Sequence, residues 1–192
     1  MLNNPFFSII IPTYNRERFI GSAIESVQKQ STENWELIIV DDGSTDNTKH
    51  IISSYIKKDK RIKYLYQKNA ERSAARNNGI KNSIGKYICF LDSDDEYKNN
   101  HLSTFFQKIQ EIGEIECMIF NQIIPEHLKV QSYNNYEKTL KYMIHPQEVC
   151  IHKNIFKTEN FDENLSIVED FDLWIRIVDK FPLYNINKCT VK

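Results

Sequence analysis

The chain has 192 residues, of which 41% are hydrophobic; 25 are lysine or arginine and 26 are aspartate or glutamate, giving a formal net charge of -1. This length suits one domain with a substantial core and is short for two domains of ordinary size. Because charges of both signs are interspersed, the composition excludes the basic surface typical of nucleic-acid-binding proteins, and we expect no nucleic acid partner.

The amino terminus lacks the basic and long apolar segments of a signal peptide, and no stretch approaches the ~20 apolar residues of a membrane span. The four cysteines are widely spaced, without a CxxC pair, which is typical of reduced thiols. We therefore expect a cytoplasmic protein. Peripheral contact with the inner face of the membrane is the alternative.

The first part of the sequence begins with a strand, a helix and a second strand. The apolar run from Phe6 to Ile11 predicts the first strand, which Pro12 ends. The second predicted strand includes Leu37 to Val40. Between them lie five apolar residues at helical spacing, which predict an amphipathic helix: Phe19, Ile20, Ala23, Ile24 and Val27.

The alternation continues through the middle of the sequence. Ile62 to Tyr66 alternates as a third strand, and Tyr87 to Leu91 is an apolar fourth strand. Between them, Ser73 to Ile84 predicts a helix of small residues that ends at Gly85, a glycine suited to a left-handed helix terminus. Strands alternating with helices predict a parallel central sheet.

The second half is less regular. We predict a helix over about Asn99 to Glu111 and a strand over Cys117 to Asn121. Gln122 to Asn164 lacks clear periodicity apart from a short helical stretch near Glu137 to Met143, which suggests a lid or binding wall. Val168 to Lys180 predicts the last helix, with four residues on its inner side: Phe171, Trp174, Ile175 and Val178.

Two acidic clusters follow predicted strands, one over Asp41 to Asp46 and one over Asp92 to Asp95. Open α/β sheets bind ligands at the carboxyl ends of their strands. Carboxylates gathered there repel one another unless a cation or hydrogen-bond donors of a ligand compensate them. The two clusters therefore indicate a polyhydroxylated or phosphorylated ligand held with a divalent metal.

Glycine is scarce in this chain. The five glycines stand at positions 21, 43, 79, 85 and 113, so neither GxGxxG nor GxxxxGK[ST] can be written. A standard dinucleotide site and a P-loop are excluded. A nucleotidyltransferase is the less favoured enzyme alternative, because it too would require a glycine-rich phosphate loop.

Five motifs in order closely resemble the family 2 glycosyltransferases of the GT-A fold: Ile11 to Asn15, Val40 to Asp46, Ser73 to Gly79, Phe90 to Asp95 and Glu169 to Trp174. The resemblance spans nearly the whole chain. It implies one GT-A domain over residues 1–192, an α/β Rossmann-like sandwich with a mostly parallel central sheet flanked by helices. Residues 1–121 would form the nucleotide-sugar-binding half and residues 122–192 the acceptor and catalytic half, with truncation at the carboxyl terminus left open.

The resemblance also implies a nucleotide-sugar donor, usually a uridine diphosphate (UDP) sugar. Thr13 and Tyr14 would belong to the base pocket, where an aromatic ring can stack on a base. Asp41 would accept a hydrogen bond from uracil, with Asp42 as a less certain neighbour. Arg76 would supply a planar donor to the nucleotide.

The Asp92-Ser93-Asp94 segment matches the DxD motif of the fold. By this resemblance, Asp92 or Asp94 would contact the ribose. Asp94 or Asp95 would hold Mn²⁺ or Mg²⁺ against the two phosphates, a role suited to carboxylate oxygens. The division among the three carboxylates stays open.

Asp170 matches the general base of the family, with Glu169 as the neighbouring alternative. The resemblance implies an inverting enzyme that transfers a sugar to a glycan or lipid-linked acceptor in bacterial surface polysaccharide synthesis. The alternative is a catalytically silent nucleotide-sugar-binding module, or a fragment that needs a partner chain. The sugar, the acceptor and the oligomeric state are open.

One segment departs from the family pattern. Where relatives commonly have glycine before the helix of small residues, this chain has Asn69-Ala70-Glu71-Arg72. We expect this charged pair to lie near the donor phosphates.

Overall fold

A computed structural model describes residues 4–123 and 144–192. Strands of these residues form a single mixed sheet: β1 (Phe7–Thr13), β2 (Trp35–Asp41), β3 (Ile62–Tyr66), β4 (Tyr87–Phe90), β5 (Met118–Phe120), β6 (Val149–His152) and β7 (Leu183–Asn185). The sheet is flanked by helices: α1 (Ile20–Gln28), α2 (Thr48–Ile56), α3 (Glu71–Asn82), α4 (His101–Ile112) and α5 (Glu169–Lys180). No helix in the described ranges is long and apolar enough to cross a membrane.

The strand order is β3-β2-β1-β4-β6-β5-β7. β1 pairs in parallel with β2 on one side and with β4 on the other, and only β6 runs antiparallel to its neighbours. The predicted α/β sandwich with a mostly parallel sheet is confirmed. Because the chain moves outward from β1 to β3 and then returns to β4, the strand order reverses between β1 and β4. Ligands of open α/β sheets bind at such a reversal.

The continuous apolar runs of the central strands are explained by burial on both faces. In β1, Ile9 and Ile11 pack into one core cluster and Ile10 packs into the other. In β2, Leu37 packs into the first of these clusters and Ile38 into the second. All five side chains are fully buried. Strands covered by helices on both sides need no polar face, so their sequences do not alternate.

β6 corrects our interpretation of residues 122–164 as irregular. Val149 to His152 is a buried strand, and it pairs antiparallel between β4 and β5. Four apolar or aromatic residues between a proline-containing turn and a lysine give too short a signal to separate a strand from a loop. The helical stretch predicted near Glu137 to Met143 lies outside the described residues.

The role predicted for Gly85 is also wrong. α3 ends at Asn82, and Gly85 has no positive φ. A Cβ atom at this position would lie 2.5 Å from Oγ of Ser8 and 2.6 Å from its backbone nitrogen. Glycine is needed here because the chain passes directly against β1, not because it ends a helix.

The buried side of α5 is rotated relative to the prediction. Trp174 and Val178 are buried as expected, but Leu173 and Ile177 complete the buried face, while Phe171 and Ile175 are only partly buried. Both sets of positions have the spacing of three and four residues that a helix face requires. Because apolar residues occupy six of the positions from 171 to 178, spacing could not distinguish the two faces.

Candidate active site

A cavity of about 400 Å³ opens at the carboxyl ends of β1 and β4, against the first turn of α3. Its lining includes five of the residues predicted to bind the donor: Thr13, Tyr14, Arg76, Asp92 and Asp94. The structure therefore brings together residues that are up to 81 positions apart in the sequence. We call this space the first cavity.

The end of β1 supplies one wall of the first cavity. Thr13 is 3% exposed, and its Oγ1 atom has no hydrogen-bond partner among the described residues. The neighbouring Tyr14 ring is 46% exposed. A buried hydroxyl without a partner is costly, and a ligand that bonds to it removes that cost. This wall thus offers a hydroxyl and an open aromatic ring, which are suited to a planar base.

Asp41 lies behind the cavity and is not part of its lining. It is fully buried, and its two carboxylate oxygens accept hydrogen bonds from the backbone N–H of Ser44 at 2.8 Å and the hydroxyl of Tyr64 at 2.7 Å. Burial and the Asp41 carboxylate raise the pKa of Tyr64, so that its hydroxyl stays protonated and donates. Asp41 therefore fixes the loop that follows β2.

Asp42 does line the first cavity. One of its carboxylate oxygens, Oδ1, accepts hydrogen bonds from Nε2 of Gln67 at 2.7 Å and from the backbone N–H of Ala70 at 2.9 Å. Both contacts hold the carboxylate between the β2 loop and the segment leading to α3. The acidic side chain of this loop that reaches the cavity is thus Asp42, which we expected to be a less certain uracil ligand than Asp41.

Arg76 is buried between two carboxylates. It donates from Nη1 to Oε1 of Glu169 at 2.9 Å and from Nη2 to Oδ1 of Asp92 at 3.0 Å, and its side chain is 3% exposed. Its guanidinium carbon lies 5.3 Å from the ring centre of Phe161. Nε has no hydrogen-bond partner among the described residues. Arg76 therefore ties α3 to the end of β4 and to α5, while its Nε–H group has no acceptor among these residues.

The acidic loop after β4 folds into a turn, in which the backbone N–H of Asp95 donates to the carbonyl oxygen of Asp92 at 3.1 Å. Asp94 is exposed and lines the first cavity. Asp95 accepts a hydrogen bond from Nε2 of Gln147 at 2.8 Å. Burial, with added repulsion from Asp92 and Asp94, raises the pKa of Asp95. This loop therefore holds negative charge that nearby cations do not fully balance.

Asp170 lies in a second cavity of about 540 Å³. The two cavities share Arg72, Arg76 and Asp92, which form their common border. Asp170 is the second residue of α5, and its Oδ1 accepts a hydrogen bond from the backbone N–H of Phe171 at 2.8 Å. Burial is the main cause that raises the pKa of Asp170, and the neighbouring Glu169 carboxylate adds to it. Asp170 is thus a stronger base than an ordinary aspartate.

The neighbouring acidic residues are engaged by arginines. Glu169 is 4% exposed and accepts from Arg76. Asp172 pairs with Arg176, with Nη2 and Oδ2 2.7 Å apart. Glu169 and Asp170 both line the second cavity, and of these three carboxylates Asp170 is the one without an ion pair among the described residues. This geometry favours Asp170 over Glu169 as a proton acceptor.

Two residues at the site were not singled out by the motifs. Gln147 holds Asp95, and it belongs to the segment that we interpreted as irregular, where no sequence pattern marks it. Arg72 borders both cavities. It stands in the segment that departs from the family pattern, and the preceding Glu71 has a φ of 70°. This left-handed conformation is one that glycine adopts more readily than glutamate.

Comparison with known proteins matches residues 8–167 to the family model described as glycosyl transferase family 2. An uncharacterized glycosyltransferase of Rickettsia felis is 38% identical over 206 residues, covering 98% of this chain and 33% of the relative. The chain thus spans about a third of that relative's length. TuaG of Bacillus subtilis, named for teichuronic acid biosynthesis, is 29% identical over 197 residues, covering 96% of this chain and 77% of the relative.

Among solved structures, Staphylococcus aureus TarS, residues 1–349, in complex with UDP-GlcNAc superposes with a TM-score of 0.79. The sequence identity is 23%, and the match covers 96% of this chain and 57% of that chain. This similarity shows a shared GT-A fold. The family-model match over residues 8–167 shows that the chain belongs to glycosyl transferase family 2.

Proposed function

We propose that this chain is an inverting glycosyltransferase that moves a sugar from a nucleoside-diphosphate sugar, with UDP-sugars as the first choice, to a hydroxyl group of a glycan or lipid-linked acceptor. One observation carries the proposal. The cavity with the base-binding wall and the cavity with Asp170 share one border, formed by Arg72, Arg76 and Asp92. A donor whose base lies in the first cavity can present its sugar to Asp170 across that border.

The proposed nucleoside site follows from the walls of the first cavity. Tyr14 would stack on the base, and the free hydroxyl of Thr13 would bond to its edge. Asp41 remains the uracil ligand that the resemblance implies. It lies behind the cavity, and Asp42 is the carboxylate at the cavity wall. Asp92 or Asp94 would accept hydrogen bonds from the ribose hydroxyls. The support for uridine is the resemblance to a fold that TarS uses to bind UDP-GlcNAc.

We propose that Asp94, with Asp95 beside it, holds Mn²⁺ or Mg²⁺. The carboxylate oxygens of both residues suit a hard cation, and Asp95 also lies beside the carboxylates of Asp92 and Asp94. In the described ranges, no group of three or more histidine, cysteine or acidic side chains is arranged to hold a metal by itself. Mg²⁺ in nucleotide sites commonly takes one or two carboxylates plus phosphate oxygens, so the residues present fit this arrangement. When bound, the ion would neutralise charge on the departing diphosphate.

Replacing Asp94 and Asp95 together with alanine should lower the Mn²⁺-dependent affinity for UDP at least about tenfold, because the ion loses its protein ligands. The measurement is a calorimetric titration with UDP in the presence of Mn²⁺. Glu96→Ala is the matched control, since Glu96 is an adjacent acidic residue that pairs with Lys192 and lines neither cavity. Equal affinities for the wild type and the double variant would remove these residues from the metal site.

The proposed transfer step needs one proton acceptor. The acceptor oxygen would attack the anomeric carbon from the face opposite the diphosphate and would form the new glycosidic bond. The bond between that carbon and the phosphate oxygen would break, and its electron pair would leave with the diphosphate. This attack from the opposite face would invert the configuration at the anomeric carbon. Asp170 would take the proton of the acceptor hydroxyl, which balances the negative charge that leaves on the diphosphate.

The raised pKa of Asp170 sets an expected pH dependence. The carboxylate must be ionised to accept a proton, so kcat/KM should fall as the pH falls through its pKa. Because burial raises this pKa, the fall should begin at a higher pH than the pKa of about 3.9 of an ordinary aspartate would give. A rate profile between pH 4 and pH 8, with folding checked at each pH, measures it. A flat profile down to about pH 4 would argue against Asp170 as the base.

A transfer assay tests the proposed function. Purified chain, Mn²⁺ and a panel of UDP-sugars are combined with glycan and polyprenyl-phosphate-linked acceptors, and both the UDP released and the product are measured. Acceptor-dependent release of UDP supports the proposal. We place the reaction in the cytoplasm, with contact to the membrane where the acceptor is lipid-linked.

The alternative is a nucleotide-sugar-binding module, or a fragment that needs a partner chain. The chain spans 33% of the length of its Rickettsia relative and 77% of the length of TuaG. Both proposals share the nucleotide-binding residues and differ in whether Asp170 acts on an acceptor. UDP binding without turnover on any donor and acceptor pair would favour the alternative.

A further inference from the structure

Arg72 lies at the site but takes no part in the transfer step described above. It is the second residue of α3 and lines both cavities, and its side chain is 57% exposed. Its Nε lies 3.6 Å from Oε1 of Glu169, which is too far for a hydrogen bond. Its guanidinium is therefore held only loosely at the border between the cavities.

An anion would bind at the border between the cavities only if a cation there were available to contact it. Asp92 and Glu169 are carboxylates, and Arg76 is already paired with both. Two carboxylates against one guanidinium leave a negative charge that would repel phosphate. Arg72 balances that charge, and unlike the contacts of Arg76, its contact with Glu169 is too long for a hydrogen bond.

Two further features of α3 point to an anionic ligand. The helix has 12 residues, and its amino terminus faces the first cavity through Glu71 and Arg72; helix amino termini favour negative charge. Independently, Arg76 is 2% exposed and lines both cavities, yet its Nε lacks a hydrogen-bond partner among the described residues. A buried N–H donor of this kind is satisfied when an acceptor oxygen enters the cavity.

The backbone before Arg72 is strained. Glu71 adopts a φ of 70°, a left-handed conformation that is unfavourable for a residue with a side chain. Such strain persists where the surrounding structure holds it, and it clusters at ligand-binding sites. Here, the strained residue Glu71 directly precedes Arg72, which lines both cavities.

We propose that Arg72 binds the diphosphate of the donor, turning from Glu169 to the phosphate group attached to the sugar. When the bond from the anomeric carbon to the phosphate oxygen breaks, the electron pair remains on that oxygen, and Arg72 stabilises the charge. The acceptor proton goes to Asp170, as in the transfer step above. This inference rests on the proposed function and adds a residue that recognises the leaving group.

Comparison of UDP with uridine monophosphate (UMP) isolates this contact, because the two ligands differ by the terminal phosphate. Wild type, Arg72→Gln and Arg18→Gln are titrated with each ligand by calorimetry at one Mn²⁺ concentration. Arg72→Gln should reduce the ratio of UDP affinity to UMP affinity about fivefold, because an ionic hydrogen bond to the terminal phosphate is lost. Arg18→Gln removes an exposed charge that lines neither cavity and should leave the ratio unchanged.

The outcomes separate the two proposals. A wild type that binds UDP, with an unchanged ratio in Arg72→Gln, overturns the role of Arg72 and leaves the donor site standing. Equal losses of UDP and UMP affinity in Arg72→Gln would also overturn it, because the contact would not be to the terminal phosphate. A folded wild type that binds neither ligand overturns the proposed function and this inference together. Since Arg72 is mostly exposed, a thermal melt of Arg72→Gln should match that of the wild type.

Discussion

Asp170→Asn should reduce the rate of sugar transfer about a thousandfold while leaving the affinity for UDP within about twofold of the wild type. The asparagine side chain has the size of aspartate and can still accept the hydrogen bond from the backbone N–H of Phe171. It cannot take a proton from the acceptor hydroxyl. Because Asp170 lines the second cavity and not the first, the base and ribose contacts should be unaffected.

The matched control for this variant is Asp172→Asn. Asp172 lies two residues further along α5, where it pairs with Arg176 outside both cavities. We expect its transfer rate to stay within about threefold of the wild type, because a partly exposed ion pair contributes little to stability and none of the transfer step passes through it. Transfer that survives in Asp170→Asn would exclude Asp170 as the base and would turn attention to Glu169.

Arg76→Met should lower the free energy of unfolding by about 3–5 kcal/mol. The substitution keeps a long side chain and removes the charge that compensates Glu169, whose side chain is 5% exposed. What remains near Glu169 is Arg72 at 3.6 Å, which is exposed and too distant to hydrogen-bond. A buried carboxylate without a close partner is among the largest single sources of destabilisation. Urea denaturation of the variant and the wild type measures the difference.

Two companion variants show whether the uncompensated charge is the cause. Arg76→Met combined with Glu169→Gln should recover at least half of the lost stability, because it neutralises the carboxylate. Lys29→Met removes the ion pair with Glu25 on the surface, where both side chains are about half exposed or more, and should cost less than about 1 kcal/mol. A loss in Arg76→Met as small as that in Lys29→Met would mean that Arg76 does not hold Glu169 in place.

The first half of the fold could be predicted because local patterns and topology agree there. Strands β1 to β4 are short apolar runs separated by helical segments, and alternation of this kind predicts a parallel sheet. The order of the strands brings the end of β1 beside the end of β4, and this places Thr13 near Asp92 although 79 positions separate them. Periodicity and motif order were sufficient for that part of the site.

The rest depended on contacts between distant segments, which periodicity does not encode. β6 contains four residues and takes its place from pairing with β4 and β5. In the acidic loop after β2, Asp41 and Asp42 are adjacent and chemically identical. Only the partners supplied by Tyr64 and Gln67 decide which carboxylate is buried behind the loop and which one lines the cavity.

For Arg76, the sequence motif identified the residue but did not predict its ion pairs. The motif indicated an arginine near the nucleotide, and the structure places its side chain at both cavities. Its two ion pairs, however, lead to Asp92 and to Glu169, which lies 93 positions away. We infer that its main contribution is to hold the two acidic motifs together, while its Nε–H, which has no partner among the described residues, can donate to the ligand.

We propose that the cavity between β1, β4 and α3 binds a nucleoside diphosphate with a divalent ion. The test is a calorimetric titration of the wild-type chain with UDP in Mn²⁺, repeated after addition of a chelator. We expect saturable binding of one UDP per chain that weakens when the metal is removed. A chain that circular dichroism and thermal melting show to be folded, and that binds no UDP with or without Mn²⁺, would contradict it.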